Sequence, residues 1–231
     1  MFKGENPVIS FLGKITDLVI LNLLCVFCSI PVFTIGAVWT AMYYTTNKMA
    51  KNEESYVWAD FFKSFKQNFR QATVIWMANM IFMLTIASIF KILAGGSYAN
   101  MSRGMFILAI NIVIVVFAIM AYIYPVLSHF DDTIGITIKN AILLAIINLP
   151  YTVMMLVALI LPVGLLVFAV LSWMGINIIP IGWYVIPVYI LIGISGPAYI
   201  CGFIWKRIFA KLDNKEYQGE KNGQEKEEQS K

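Results

Sequence analysis

The sequence predicts an all-α fold: a polytopic helical membrane protein with about five transmembrane helices and one interfacial amphipathic helix on the cytoplasmic side. Three observations carry this reading. Of the 231 residues, 60% are apolar and only 13% are charged, about half the charged share of an ordinary soluble domain. The charges are segregated: the 135 residues from Gln71 to Trp205 hold five, namely Lys91, Arg103, Asp131, Asp132 and Lys139. The 66 residues from Asn140 to Trp205 hold none. No water-soluble domain covers its surface with such a sequence, so a soluble enzyme, a disordered chain and a nucleic-acid-binding domain are excluded as the main body.

Each element follows from the rule that a bilayer core about 30 Å thick needs roughly 20 apolar residues per helix. The first uncharged run, 18–44, is longer than one crossing needs, and Pro31 near its middle removes a backbone hydrogen bond and predicts a kink or a hairpin. A second span is expected at 72–90 and a third at 105–127. The uncharged stretch beyond Lys139 holds at least two more. Its best break is Ser172–Gly182, with two Gly, one Pro and Trp173, which gives spans at 140–171 and 183–205. The fourth is too long for one straight helix and contains Pro150 and Pro162, so it is either bent or a helix plus a re-entrant piece. Residues 1–212 thus form the membrane domain. The segment 213–231 has almost no apolar content and is expected to be a disordered hydrophilic tail. Lys206, Arg207 and Lys211 just before it form a juxtamembrane cluster suited to anionic headgroups.

Residues 56–70, YVWADFFKSFKQNFR, form the one amphipathic design outside the spans. Trp58, Phe61, Phe62, Phe65 and Phe69 recur at helical spacing, within an arc of about 100°. Lys63, Lys66 and Arg70 flank the stripe, while Asp60 and Gln67 are expected to face away from it. Two occupants suit that face: the membrane interface, with rings in the acyl boundary and cations toward phosphates, or a groove on a partner protein.

Basic residues orient the spans. With five spans, the N-terminus and the loops at 91–104 and 172–182 share one side with four Lys and Arg. The 45–71 loop, the 128–139 loop and the tail share the other, with thirteen. The expectation is N-out and C-in, with the first span as the point on which it turns: a hairpin at Pro31 moves the N-terminus inside.

The spans offer little chemistry. Asn22, Asn79, Asn111 and Asn148 place one amide in each of the first four spans; such groups either bond between helices or line a path for a neutral solute. Cys25 and Cys28 sit one helical turn apart, a spacing used by redox pairs, but only Cys201 remains as a further thiol and small apolar packing is the expected role. His129 beside Asp131 and Asp132 at a membrane exit is a poor metal site with a single His. No ionisable residue lies near the middle of a span, where ion-coupled transporters keep them, and no phosphate-binding loop occurs. The small residues Ala37 and Ala41, and Ala198 and Gly202, carry the spacing of close helix contacts. No catalytic, metal or cofactor constellation is recognisable, so an enzyme is not expected, and nucleic acid is not an expected partner.

The chain resembles the YesL-like family of bacterial membrane proteins. The resemblance rests on Glu5–Pro7, Gly13 with Asp17, the LNLL segment at 21–24, Pro31, Thr34–Ala37, Tyr43–Tyr44, Trp58, and Phe61–Phe69 followed by Gln71–Ala72. It continues through YPVLSHFD at 124–131, KNA at 139–141 and Leu149–Pro150. It implies a multi-pass protein of the bacterial inner membrane, associated with carbohydrate utilisation. The expected function is that of a non-enzymatic accessory or regulatory protein of an ABC-type carbohydrate uptake system, touching permease subunits or a sensor kinase. The alternative is a facilitator or channel for a neutral solute such as an oligosaccharide.

Overall fold

In the computed structural model, residues 7–53, 56–98, 101–130, 132–173 and 182–229 are described. Among them every regular element is a helix: α1 (Pro7–Cys28), α2 (Ile35–Lys51), α3 (Val57–Leu93), α4 (Arg103–His129), α5 (Ile134–Ile147), α6 (Leu149–Trp173), α7 (Gly182–Ile192) and α8 (Ser195–Gln229), with a short 3₁₀ turn, Val32–Thr34, before α2. The chain is a polytopic all-α membrane protein. Four helical segments are long and apolar enough to cross a bilayer: Phe11–Cys28, Val57–Leu93, Arg103–His129 and Leu149–Ser172. Ile134–Ile147 is a shorter apolar helix.

The uncharged run 18–44 is not one helix. It breaks at Ser29–Pro31, and α1 and α2 return antiparallel. The Lys14 ammonium near the start of α1 donates to Asn52 Oδ1, just past the end of α2, at 3.0 Å. Asn52 closes α2 in the left-handed conformation (φ 57°), its N–H donating to the Lys48 and Met49 carbonyls; an Asn tolerates this backbone better than most residues. Lys206 of α8 donates to the Ala50 carbonyl at 3.3 Å, so the start of α1, the α2–α3 turn and this stretch of α8 lie at one end. The break at Pro31 thus brings the start of α1 to the same end as the Lys206 stretch of α8, where a continuous first span would hold them apart.

Residues 56–70 are helical, as their periodicity predicts, but they are the opening turns of the 37-residue α3. No Gly or Pro interrupts 57–93, so nothing stops the amphipathic segment from running into the second span. The fourth predicted span is bent: α5 ends at Ile147, capped by Asn148, and α6 begins with Pro150 in its first turn, where the missing N–H costs least. The fifth is broken at Gly193–Ile194, between α7 and α8. The segment 174–181, where the loop before the fifth span is expected, lies outside the described residues. α8 continues to Gln229, through the segment whose composition predicts disorder. Its Lys, Glu and Gln are good helix formers, and extending an existing helix carries no nucleation cost.

The core joins α1, α2, α3, α4 and α8: Leu21, Val38, Met42, Tyr43, Phe61, Tyr122, Tyr124, Trp205 and Phe209 are all buried in it. The second half of α3 and the first half of α4 present their apolar side chains outward, among them Ile81, Phe82, Leu84, Phe106, Ile107 and Leu108. Water does not tolerate a surface of that size and polarity; lipid does.

Candidate functional site

α2 and α3 pack antiparallel along most of α2. Gly36 lies against Ala72 and Trp76 at one end, and Lys48 pairs with Asp60 at the other, Nζ to Oδ1 at 2.9 Å. The buried face of α3 is Val57, Asp60, Phe61, Ser64, Asn68, Ala72 and Ile75, a stripe of three- and four-residue steps. This face is rotated by about 90° from the centre of the aromatic stripe. Phe61 is therefore fully buried, Phe62, Phe65 and Phe69 are half-buried against the core, and Trp58 stays 60% exposed. The rings touch along the helix, Phe61 stacked on Phe65 at 5.9 Å and Phe65 tilted against Phe69 at 5.4 Å.

Asp60, expected to face away, instead points into α2, where Lys48 compensates its charge. The hydrogen bond to Asp60 raises the Lys48 ammonium above its usual value of 10.5. Ser64 and Asn68 extend the seam, the Asn68 amide donating to the Ser64 carbonyl at 3.2 Å. Thr40, Thr45 and Thr46 of α2 are also buried, and their hydroxyls donate to carbonyls of their own helix. Asp60, Ser64 and Asn68 recur every fourth residue, a polar stripe legible in the sequence but masked there by the louder aromatic one.

Lys63, Lys66 and Arg70 are exposed on the outer side of α3. Beside them a cleft of about 560 Å³ is lined by Arg70, Gln71 and Val74 with Thr133, Ile134 and Gly135 at the start of α5. The exposed edge thus consists of Tyr56, Trp58, Lys63, Lys66 and Arg70, carried on a helix that the buried face and the Lys48–Asp60 pair hold rigidly.

The four span amides are not brought together. Asn22 is fully buried and ties α1 to the break between α7 and α8. Its Oδ1 accepts from the Ile194 and Ser195 N–H groups, each at 2.9 Å, and its Nδ2 donates to the Tyr189 carbonyl at 3.3 Å. The Ser195 hydroxyl donates to the Leu18 carbonyl at 2.8 Å. One side chain thus satisfies both ends of an interrupted helix. Asn79 is half-buried on α3. Asn111 is exposed and donates to the Ile107 carbonyl of its own helix. Asn148 sits at the α5–α6 bend, donating to the Leu144 carbonyl, while Thr152 bonds to Tyr122 at 2.9 Å. Neither the cleft at Arg70 nor the surface cavity at Tyr98 and Arg103 is lined by any of the four.

His129 ends α4 with its ring stacked on Phe209 at 4.0 Å and edge-on to Phe130. With Trp205 and Tyr122 these rings join α4 to α8. Asp131 lies outside the described residues, and among those described no three His, Cys, Asp or Glu side chains cluster as metal ligands do. Cys25 and Cys201 are buried free thiols, and Cys28 is a half-buried one.

This geometry of α1, α2 and α3 is the part of the chain that comparison with known families recognises. Residues 18–90 match the family described as "Protein of unknown function, DUF624". The match is consistent with the YesL-like resemblance, and it begins at Leu18, whose carbonyl bonds to Ser195, and ends four residues after Ile86 in the second half of α3. It therefore takes in the hairpin, the Lys48–Asp60 pair and the exposed edge of α3. No curated protein and no solved structure matches the chain.

Proposed function

We propose that this protein is a non-enzymatic accessory or regulatory component of an ABC-type carbohydrate uptake system in the bacterial cell membrane. It acts by contact with permease subunits or with a sensor kinase. The observation that carries the proposal is the exposed edge of α3: Trp58 with Lys63, Lys66 and Arg70, outward-facing on a helix whose other face is fixed in the core. Exposed Tyr, Trp and Arg, here Tyr56, Trp58 and Arg70, are the residue types enriched at contact surfaces. The YesL-like resemblance supports the carbohydrate context. The distribution of charge supports a cytoplasmic location for this edge. Lys14, Lys48, Lys51, Lys63, Lys66, Arg70, Lys206, Arg207 and Lys211 fall in the half of the molecule that holds the α2–α3 turn, whereas Lys91 and Arg103 flank the opposite turn.

The test is affinity purification in mild detergent from cells grown on an inducing oligosaccharide, with permease and kinase subunits quantified by mass spectrometry. Their recovery is expected to fall at least several-fold in a Trp58→Ala, Lys63→Glu, Lys66→Glu variant and to hold in Lys91→Glu. Equal recovery from the triple variant, or no such subunit with the native chain, overturns the reading. Phe61, Phe62 and Phe65 are unsuitable probes, because polar substitutions there disrupt the core itself.

A further inference from the structure

The uncharged arms of the α1–α2 hairpin are each shorter than a bilayer core is thick; Phe11–Cys28 reaches the length of a crossing only with Lys14 and Asp17 included. On α1 the charge nearest the turn is Asp17, eleven residues before Cys28; on α2 it is Lys48, thirteen residues after Ile35. At 1.5 Å per residue the uncharged arms reach about 17 and 20 Å, against roughly 30 Å of hydrocarbon.

The depth of the tip is fixed independently by α3. The Trp76 indole N–H donates to the Val32 carbonyl at 2.9 Å, which places the turn level with Trp76. The uncharged stretch of α3 is bracketed by Arg70 and Lys91. Trp76 stands about 9 Å along the helix from the first and about 22 Å from the second. The turn thus lies inside the apolar zone but well short of its far edge.

The turn itself is built for hydrocarbon. Phe27, Ile30, Val32 and Phe33 are 66%, 73%, 58% and 49% exposed, and this surface continues into the exposed Val74 and Met77 of α3. Its backbone groups are largely satisfied from within. Ser29 N–H donates to the Cys25 carbonyl, Ile30 N–H to Phe27, and Thr34 N–H to Pro31. The Thr34 hydroxyl bonds to the Cys28 and Pro31 carbonyls. The Val32 carbonyl takes both Trp76 and the Ile35 N–H. A turn in water has no need of such closure, whereas irregular backbone at membrane depth requires it. The turn after α2 differs in kind, carrying Lys51, Asn52 and Glu53.

We infer that α1–α2 is a re-entrant hairpin whose tip, Phe27 and Ile30–Phe33, is seated among the acyl chains of the leaflet nearest Arg70 and never reaches the opposite face. The full crossings are then α3, α4, α5 with α6, and α7 with α8.

The experiment places a single cysteine at Val32, Asn52 or Tyr98 in the full-length chain, with Cys25, Cys28 and Cys201 replaced by Ala. Right-side-out and inverted vesicles are treated with a membrane-impermeant maleimide. Asn52→Cys is expected to label from one side and Tyr98→Cys from the other, with labelling of Val32→Cys lost from both. A spin label at Val32 is expected to be relaxed by oxygen and not by a water-soluble nickel chelate. Labelling of Val32→Cys from the Tyr98 side shows a complete crossing; labelling from the Asn52 side shows a hairpin outside the bilayer. Either result overturns the inference. Should the cysteine-free chain fail to insert, a background keeping the buried Cys25 and Cys201 and replacing only Cys28 serves the same assay.

Discussion

Replacing Gly36 by Ala tests whether α2 and α3 touch as closely as their packing requires. A Cβ at Gly36 falls 2.4 Å from the Ala72 carbonyl oxygen and 2.8 Å from Trp76 Cβ. Ordinary contact begins near 3.4 Å, so α3 must retreat by about 1 Å in an interior that packs like a crystal. Overpacking of this kind costs about 1–3 kcal/mol, and loosening the Trp76–Val32 hydrogen bond adds about 1 kcal/mol. Against this, Gly→Ala within a helix stabilises by about 1 kcal/mol. The net expectation is a destabilisation of about 1–3 kcal/mol. Gly13 supplies the control: it lies in α1 with nothing within 4 Å of its would-be Cβ, so Gly13→Ala keeps only the helix gain. Gly202 is intermediate, its Cβ 3.1 Å from the Thr46 carbonyl oxygen, and the gain and the squeeze nearly cancel. The assay is thermal unfolding in detergent micelles, followed by tryptophan fluorescence. The expected order of stability is Gly13→Ala above Gly202→Ala above Gly36→Ala. If Gly36→Ala is as stable as Gly13→Ala, the close approach of α2 to α3 is refuted.

The remaining predictions concern the polar groups. Asn22→Leu strands the Ile194 and Ser195 N–H groups and is expected to destabilise by about 2–4 kcal/mol, whereas Asn111→Leu stays within about 0.5 kcal/mol; the same unfolding assay compares them, and equal losses would contradict the capping role. Asp60→Ala leaves Lys48 without its partner and is expected to cost about 1–3 kcal/mol, with a double-mutant cycle through Lys48→Met measuring the coupling. Because Lys48 is raised by its bond to Asp60, the lysine's share of the pair's contribution is fully present from neutral pH up to 10.5. It is lost only as pH rises through the higher folded value, so the Asp60→Ala difference should persist unchanged through neutral pH. A difference that vanishes between pH 7 and 9 would assign the effect to another group.

Much of this architecture was legible before any contact was known. The uncharged stretches, their lengths and their lack of ionisable residues specify a helical membrane protein, because the cost of charge in hydrocarbon is a property of composition. The bend at Pro150 and the helical nature of 56–70 are equally local, since a missing N–H and a 3.6-residue period act within a few turns. Tertiary structure alone decided which face of α3 is buried. The aromatic stripe outlined an apolar face, but in the packed structure Asp60 turns inward to Lys48 of α2, and Gly36 meets Ala72 and Trp76 on the same side of the helix. The role of Asn22 depended on a break in the chain some 170 residues away, and no local pattern announces such a partner. Pro31 could signal a kink or a reversal; the Lys14–Asn52 and Trp76–Val32 bonds chose the reversal and set its depth. Sequence by itself fixes which segments must leave water. Which side of each segment meets protein, and where the chain turns back, follows from pairings between distant groups that exist only once the helices have packed.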